Sequence, residues 1–409
     1  MRFVTLFLKT ENVHLIKDVG MIPYMLYKKY GYQSELVTWE NGSYPYLEDK
    51  VKGLKLSFVK KTPFGRIYDG MHYLKYEASS IDILNIYHLN AASFFYERVF
   101  RKYNPMGKIF LKLDMNDKGF RDVFKRDLKG LIKRAIIRGA DLATVENSGM
   151  KEALSESFED RAEHKDGSLM KQLHIHSADH LIHGCRIAFI PNGFYREAED
   201  TDDITADELH RKEQLILTVG NLGTPEKATD VLLEAFALSA EKHDYSLTLV
   251  GSIDPSFEPF INDFFKKHPG LKDRITFTGL MTDRKRLIGL YRRARYFALP
   301  SRSESFGFVL LEAAREGCYI IASDACSAAL DITNKGRYGT IVKADDVSAL
   351  AETFSFLYTS PPDSDQLRAE EIQFIEKNYS WDGIIEKLYA GLEELFLLRE
   401  PAVSDIIQK

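Results

Sequence analysis

The chain has 409 residues, 44% of them hydrophobic, and a formal net charge of −5. That length is long for one core and comfortable for two. No apolar run reaches the ~18 residues of a spanning helix, and the start, MRFVTLFLKTENV, lacks the apolar core and small-residue cleavage site of a signal peptide. Cys185, Cys318 and Cys326 show neither metal nor disulfide spacing, which fits a reducing cytoplasm.

In chain order, Arg2–Leu8 reads as an apolar strand, followed by a loop over Lys9–Val19 and a helix that Gly20 and Pro23 open and that runs through Tyr30. Further strands are expected at Ser34–Trp39, Leu54–Val59, Asp82–Tyr87, Lys108–Leu113, Leu142–Val145 and Ile187–Ile190. Between Lys108–Leu113 and Leu142–Val145 lies Phe120–Arg138, whose apolar residues fall at helical spacing among seven Lys and Arg. It predicts one basic amphipathic helix, lying either on the core or on an anionic membrane surface. Pro191-Asn192-Gly193 is a turn, and the acidic stretch Glu197–Glu213 after it marks a boundary.

A second alternation follows: strands at Leu215–Val219, Ser246–Val250, Ile275–Thr278, Tyr296–Leu299 and Tyr319–Ala322, with helices at Asp230–Ala240 and Asp283–Arg293. Trp381–Glu400 has helical periodicity. The pattern predicts α/β architecture with two doubly wound units, 1–195 and 196–380, each Rossmann-like. Residues 1–192 carry 30 basic and 23 acidic residues, net +7, while the remainder carries 25 and 37, net −12. The basic half suggests an anionic partner. No G-x-G-x-x-G opens either half, which weakens a dinucleotide-dependent oxidoreductase.

The most informative stretch is ALPSRSESFGFVLLEAAREGCYIIASD, Ala298–Asp324. A strand end meets a turn rich in serine, then a helix from Phe308 to Glu316 that Gly317 terminates. The first turn of such a helix offers unpaired amides and partial positive charge, a seat for a diphosphate. Glu312 lies roughly 8 Å along the axis from Gly307 at about 1.5 Å per residue. A carboxylate there can accept from both hydroxyls of a ribose. Glu304, just before the helix, would face what hangs on the outer phosphate. The plain alternative is an amphipathic helix with two solvated glutamates.

Glu304 and Glu312, with Ser305-Phe306-Gly307 and Leu299-Pro300-Ser301, resemble the E-x7-E donor segment of retaining GT-B glycosyltransferases, in particular glycosyltransferase family four. Three further segments carry the resemblance: RIAFIPNGF (Arg186–Phe194), LTVGNLGTPEKATDVLLEAF (Leu217–Phe236) and RITFTGL (Arg274–Leu280). It implies a GT-B fold, two Rossmann-like domains facing across a cleft, with a C-terminal helix (residues 381–409) crossing back to the first. It implies a retaining hexosyltransferase that uses a nucleoside diphosphate sugar, UDP-linked by family frequency, and needs no divalent metal and no cofactor. The expected acceptor is a hydroxyl of a glycan, lipid-linked or protein molecule. An anionic membrane surface is a further expected partner, nucleic acid is not, and the place of action is the cytoplasm or the inner face of the membrane.

The donor set implied is Gly220, Asn221, Lys227, Glu304, Ser305, Phe306, Gly307, Phe308 and Glu312. Lys227 would neutralise diphosphate charge as a point cation, unless it is simply a solvated lysine. Asn221 stands where the family usually has Arg, and Arg302 is the candidate substitute cation. In the first half Asp114 and His88 end neighbouring strands, whose C-terminal ends face the crevice of an open α/β sheet. Asp114, in place of the family's usual His, could orient an acceptor hydroxyl or be a turn residue. Gly20 is read as a close-approach residue and Asp18 as an acceptor contact or helix cap. Asp200-Thr201-Asp202 matches the D-x-D of metal-dependent transferases only by letter and reads as linker charge. Asn221 and Asp114 also motivate a rival, a non-catalytic GT-B subunit that binds a glycan or a partner enzyme.

Overall fold

A computed structural model describes residues 1–115, 117–163, 181–182, 185–194, 203–241, 243–362 and 364–397. The sequence Asp200-Thr201-Asp202 lies outside them. The chain divides into two compact units, Met1–Tyr195 with Trp381–Lys409, and Arg196–Ser380.

In the first unit the strands are β1 (Arg2–Leu6), β2 (Gln33–Thr38), β3 (Lys55–Phe58), β4 (Ile83–Tyr87), β5 (Lys108–Lys112), β6 (Leu142–Val145), β7 (Leu181–Ile182) and β8 (Cys185–Phe189). They form one sheet in the order β3-β2-β1-β4-β5-β6-β8-β7. All pairs are parallel except the terminal β7–β8 hairpin. The central strands are mostly apolar and buried along their whole length, as a sheet covered on both faces requires, with Asn85, Lys108, Lys112 and Thr144 as the polar exceptions. The order reverses between β1 and β4, and an open α/β sheet binds ligands at such a switch point, outside the strand C-termini.

Helix Trp381–Leu397 belongs to this unit. Its Tyr389 stacks on Tyr30 with centroids 3.7 Å apart, its Glu393 accepts from the Tyr32 hydroxyl at 2.8 Å, and Glu386 pairs with Lys29 at 2.7 Å. Trp381, Ile384, Leu388 and Leu392 join the core cluster around Phe3 and Phe110.

The single helix expected over Phe120–Arg138 is two: Asp117–Phe124 and Leu128–Gly139. Asp127 breaks it by capping the second, its carboxylate accepting from the Gly130 amide at 2.7 Å. Gly130 is needed because a Cβ there would stand 2.2 Å from the Lys125 carbonyl oxygen. The loop expected over Lys9–Val19 holds a short 3-10 turn, Asn12–Ile16, and the helix after it starts at Asp18.

The second unit repeats the topology with β9 (Glu213–Val219), β10 (Ser246–Val250), β11 (Ile275–Gly279), β12 (Ala294–Leu299), β13 (Tyr319–Ser323) and β14 (Gly339–Val342). The order is β11-β10-β9-β12-β13-β14, wholly parallel. Strand β14 was not expected: Gly339-Thr340-Ile341-Val342 is short and lacks a flanking apolar run. The switch point lies between β9 and β12, so the segments after Val219 and after Leu299 emerge side by side.

Candidate functional site

The two segments that carried the donor motif leave the two strands at the switch point of the second unit. After β9, Gly220 turns the chain and its N–H bonds the Val250 carbonyl at 2.9 Å. A 3-10 turn, Pro225–Lys227, follows, and the Lys227 stem runs back over Gly220. After β12, Ser301 is fully buried and its carbonyl accepts from the Ser323 hydroxyl. Glu304 is then strapped by its backbone: its N–H donates to Ala325 at 3.1 Å and its carbonyl accepts from Ser327 at 3.1 Å.

Gly307 precedes helix Phe308–Arg315 with φ 77° and ψ 64°, the left-handed region open to glycine. A Cβ there would sit 3.2 Å from Leu310 and 3.3 Å from Glu304. Phe306 is buried and meets Phe308 edge-on at 5.2 Å, fixing the entry of the helix. Ser305 is half-buried beside them. The Leu310 amide donates back to the Gly307 carbonyl at 2.8 Å; amides earlier in an α-helix have no carbonyl one turn before them, and the helix dipole places partial positive charge at this end.

Two charged contacts organise the site. The Lys227 ammonium donates to the Glu304 carboxylate, the two side chains being 25% and 18% exposed. Glu312 is held on both oxygens: Arg284 donates to Oε1 at 2.9 Å and the Tyr291 hydroxyl to Oε2 at 2.8 Å. Burial, then the charge of Glu312, pushes the Tyr291 phenol far above its ordinary value, so it stays a donor. Each carboxylate oxygen has two lone pairs, so Glu312, 26% exposed, keeps capacity for a ligand hydroxyl.

Arg302 does not replace the missing cation at Asn221. Its guanidinium forks onto Asp230 at 3.0 and 2.6 Å, also donating to Asp345 and the Pro225 carbonyl. It ties the two loops together instead. Asn221 is exposed, its side-chain oxygen accepting from Ser252 at 3.4 Å. Arg284 and Tyr291 were not expected: both sit in the helix Arg284–Arg293, away from any strand end, and only folding brings them to Glu312.

In the first unit the residues singled out gather at the strand C-termini. His88 follows β4 in the left-handed region, φ 65°, and lines a cavity of about 200 Å³ with Lys9, Arg66, Asn90 and Tyr96. Burial lowers its pKa and favours the neutral ring. Beside it lies a buried pair, Lys112 and Glu146 at 3.2 Å, 1% and 3% exposed. Asn192 also donates to Glu146, at 2.6 Å. Asp18 and Asp114 interact with this pair, and both carboxyls are raised, chiefly by burial. Asp114 as a residue is solvent-exposed, so water screens much of the effect.

Glu146 could have been found in the sequence by the rule that gave His88 and Asp114, since it directly follows β6. Gly20 has a role other than ligand approach: it lies inside helix Asp18–Tyr30, where a Cβ would stand 2.3 Å from the Leu15 carbonyl oxygen. Its space is filled by the chain itself. Asp18 is the first residue of that helix and accepts from the Val19 amide at 2.9 Å.

Residues 213–360 match the family model described as Glycosyl transferases group 1. A D-inositol 3-phosphate glycosyltransferase of Rhodococcus jostii (strain RHA1) is 31% identical over 187 residues, 44% of this chain and 40% of that protein. The chain thus spans about two fifths of the length of the curated relatives it matches. Among solved structures, sucrose-phosphate synthase of Thermosynechococcus elongatus superposes with a TM-score of 0.65 at 17% identity, covering 97% of this chain and 100% of that one. The Anabaena HepE protein, solved with UDP, gives 0.67 at 13% identity, covering 96% and 100%. The chain has the GT-B fold, and its second unit carries the group 1 glycosyltransferase domain.

Proposed function

We propose that the protein is a retaining glycosyltransferase that moves a hexosyl unit from a UDP-sugar to a hydroxyl of a glycan, lipid-linked or protein acceptor. The observation that carries this reading is the Lys227–Glu304 pair at the start of helix Phe308–Arg315, with Glu312 fixed further along that helix by Arg284 and Tyr291. The amides at Phe306–Phe308 and the Lys227 ammonium take the diphosphate. Glu312 takes the ribose hydroxyls, and Glu304 lies beside the sugar. As the bond from the anomeric carbon to the diphosphate breaks, the electron pair leaves on the phosphate oxygen, where these preorganised donors meet it. The acceptor oxygen bonds to the same face, and its proton passes to the departing phosphate. Asp114 and His88 serve the acceptor from the first unit. Because lysine and amides carry the phosphate charge, no divalent metal is needed, and turnover should survive EDTA.

The reaction would run at the cytoplasmic face of a membrane, where Leu128 and Leu131, 71% and 54% exposed among Lys125, Arg126 and Lys129, would meet anionic lipid. Flotation with anionic vesicles at low salt tests that contact. For the activity, thermal-shift screening against UDP-, GDP- and ADP-sugars should single out the donor, since a bound ligand raises apparent stability by mass action. Transfer or donor hydrolysis should vanish in Glu304→Ala and Lys227→Ala. The rival, a non-catalytic subunit, draws on Asn221 and on the engagement of Arg302 elsewhere. Nucleotide binding without any turnover would favour it.

A further inference from the structure

The first unit carries an aromatic row that its core does not use. Helix Gly65–Glu77 packs inward through Ile67, Met71, Tyr73 and Leu74. On its solvent side Phe64, at the N-cap, is followed at four-residue intervals by Tyr68, His72 and Tyr76. The four rings touch in sequence, with centroids 5.0, 6.0 and 5.0 Å apart. Phe64, Tyr68 and Tyr76 are 75%, 46% and 63% exposed. Contiguous exposed aromatic surface of this kind marks a binding face more often than chance.

Three features say what covers it. First, the row starts where the cavity ends: Arg66, in the first turn of the same helix, lines that cavity with His88 and Asn90, at the switch point of the sheet. Second, three of the four rings pair a flat apolar face with a polar edge, two phenol hydroxyls and an imidazole. A pyranose has the matching surface, a patch of axial C–H groups ringed by hydroxyls, and the ring spacing is close to the length of one sugar. Third, the helix exposes no aliphatic side chain: its exposed residues are Arg66, Tyr68, His72, Lys75 and Tyr76. The lipid-type surface, with exposed leucines among lysines, lies elsewhere, at residues 125–131.

We infer that the acceptor is a chain of several sugars, its end in the cavity beside His88 and its preceding units stacked along Phe64, Tyr68, His72 and Tyr76. This rests on the proposed function and narrows its acceptor from three classes to an extended glycan.

The test measures binding, not turnover. Full-length protein is run through native gels containing soluble glucan, mannan, galactan or N-acetylglucosamine polymer. Mono-, di- and tetrasaccharides of the retaining glycan then compete. At least one glycan should retard the protein, and the tetrasaccharide should compete about tenfold better than the monosaccharide. Tyr68→Ala and Tyr76→Ala should each weaken retention about three- to tenfold, the scale of one aromatic stacking contact. Tyr68→Phe should retain most of the binding, and every variant should keep the wild-type thermal shift with UDP.

Retention by none of the glycans overturns the inference, as does equal competition by mono- and tetrasaccharide. So does unchanged retention in the alanine variants, or loss of anionic-vesicle binding in them with glycan binding intact. A chain that UDP does not stabilise at all would instead sink the glycosyltransferase reading.

Discussion

Lys227 and Glu304 form an ion pair, and under the proposed function this predicts non-additive effects on nucleotide affinity. In Lys227→Gln the diphosphate loses a charge-assisted contact worth about 1.5–3 kcal/mol. It also meets Glu304 without its counter-ion. Two like charges about 4 Å apart interact by up to about 4 kcal/mol at an effective dielectric of 20, and less here because both side chains are partly open to water. The single variant should therefore bind UDP at least about 300-fold more weakly than wild type, if half of the repulsion, about 2 kcal/mol, is realised. Glu304→Gln removes the repulsion and releases Lys227, so UDP, which has no sugar for Glu304 to contact, should bind at least as tightly as to wild type. The double variant should then recover about thirtyfold over Lys227→Gln alone, the same 2 kcal/mol or so of repulsion. Isothermal titration of all four proteins with UDP at one fixed ionic strength closes the cycle. Coupling of less than about 0.5 kcal/mol, the scatter expected of independent sites, would refute the view that the pair shares one diphosphate seat. So would UDP binding within twofold of wild type in Lys227→Gln.

Other outcomes follow from the same structure. Tyr291→Phe removes the 2.8 Å bond to Glu312 while Arg284 and water still reach that carboxylate, so UDP should bind only about three- to tenfold more weakly by titration. Gly307→Ala forces a left-handed backbone on alanine, about 1–2 kcal/mol of strain, and crowds Glu304; denaturant unfolding should show the loss and UDP-sugar titration a weaker fit. Glu97 is 6% exposed, its Oε2 lacks a partner, and burial raises its pKa to about 7 from an ordinary 4.5. The folded state therefore holds this proton more tightly than the unfolded one, and the site loses stability as pH rises from about 4.5 to 7. Between pH 5 and pH 8 that loss is about 2–3 kcal/mol. Glu97→Gln should flatten the pH dependence of the melting temperature by several degrees over this window, and an unchanged slope would remove the assignment.

The parts of the site legible in the sequence are those set by the chain's own neighbourhood. A strand end, a glycine with positive φ and a helix start all fall within ten residues of Glu304, so local patterning places Ser305, Phe306, Gly307, Phe308 and Glu312 without knowledge of the rest. Lys227 was legible through the matching strand end after β9, because both strands flank the reversal of order that an α/β sheet uses for ligands. Arg284, Tyr291 and Arg302 were not legible in the same way. An arginine pattern at 284–293 reads as a basic helix face, and nothing in it says that Arg284 reaches Glu312, 28 residues away. The sequence leaves Arg302 a candidate substitute cation because the two carboxylates that claim it, Asp230 and Asp345, lie 72 and 43 residues away in sequence. The same limit hid the break in Phe120–Arg138: helical spacing continues through Asp127, yet its side chain caps the second segment and Gly130 must pass the Lys125 carbonyl. Charge partners are tertiary facts, whereas strand ends and helix starts are local ones. It follows that the residues proposed for the donor lie where local sequence patterns could point, and that the engagement of the arginines, Arg302 with Asp230 and Asp345 and Arg284 with Glu312, required the fold. Under the proposed function Lys227 would carry the diphosphate charge with the helix amides, since Arg302 is bound by two aspartates and Arg284 by Glu312, so its replacement is the sharpest probe of the whole site.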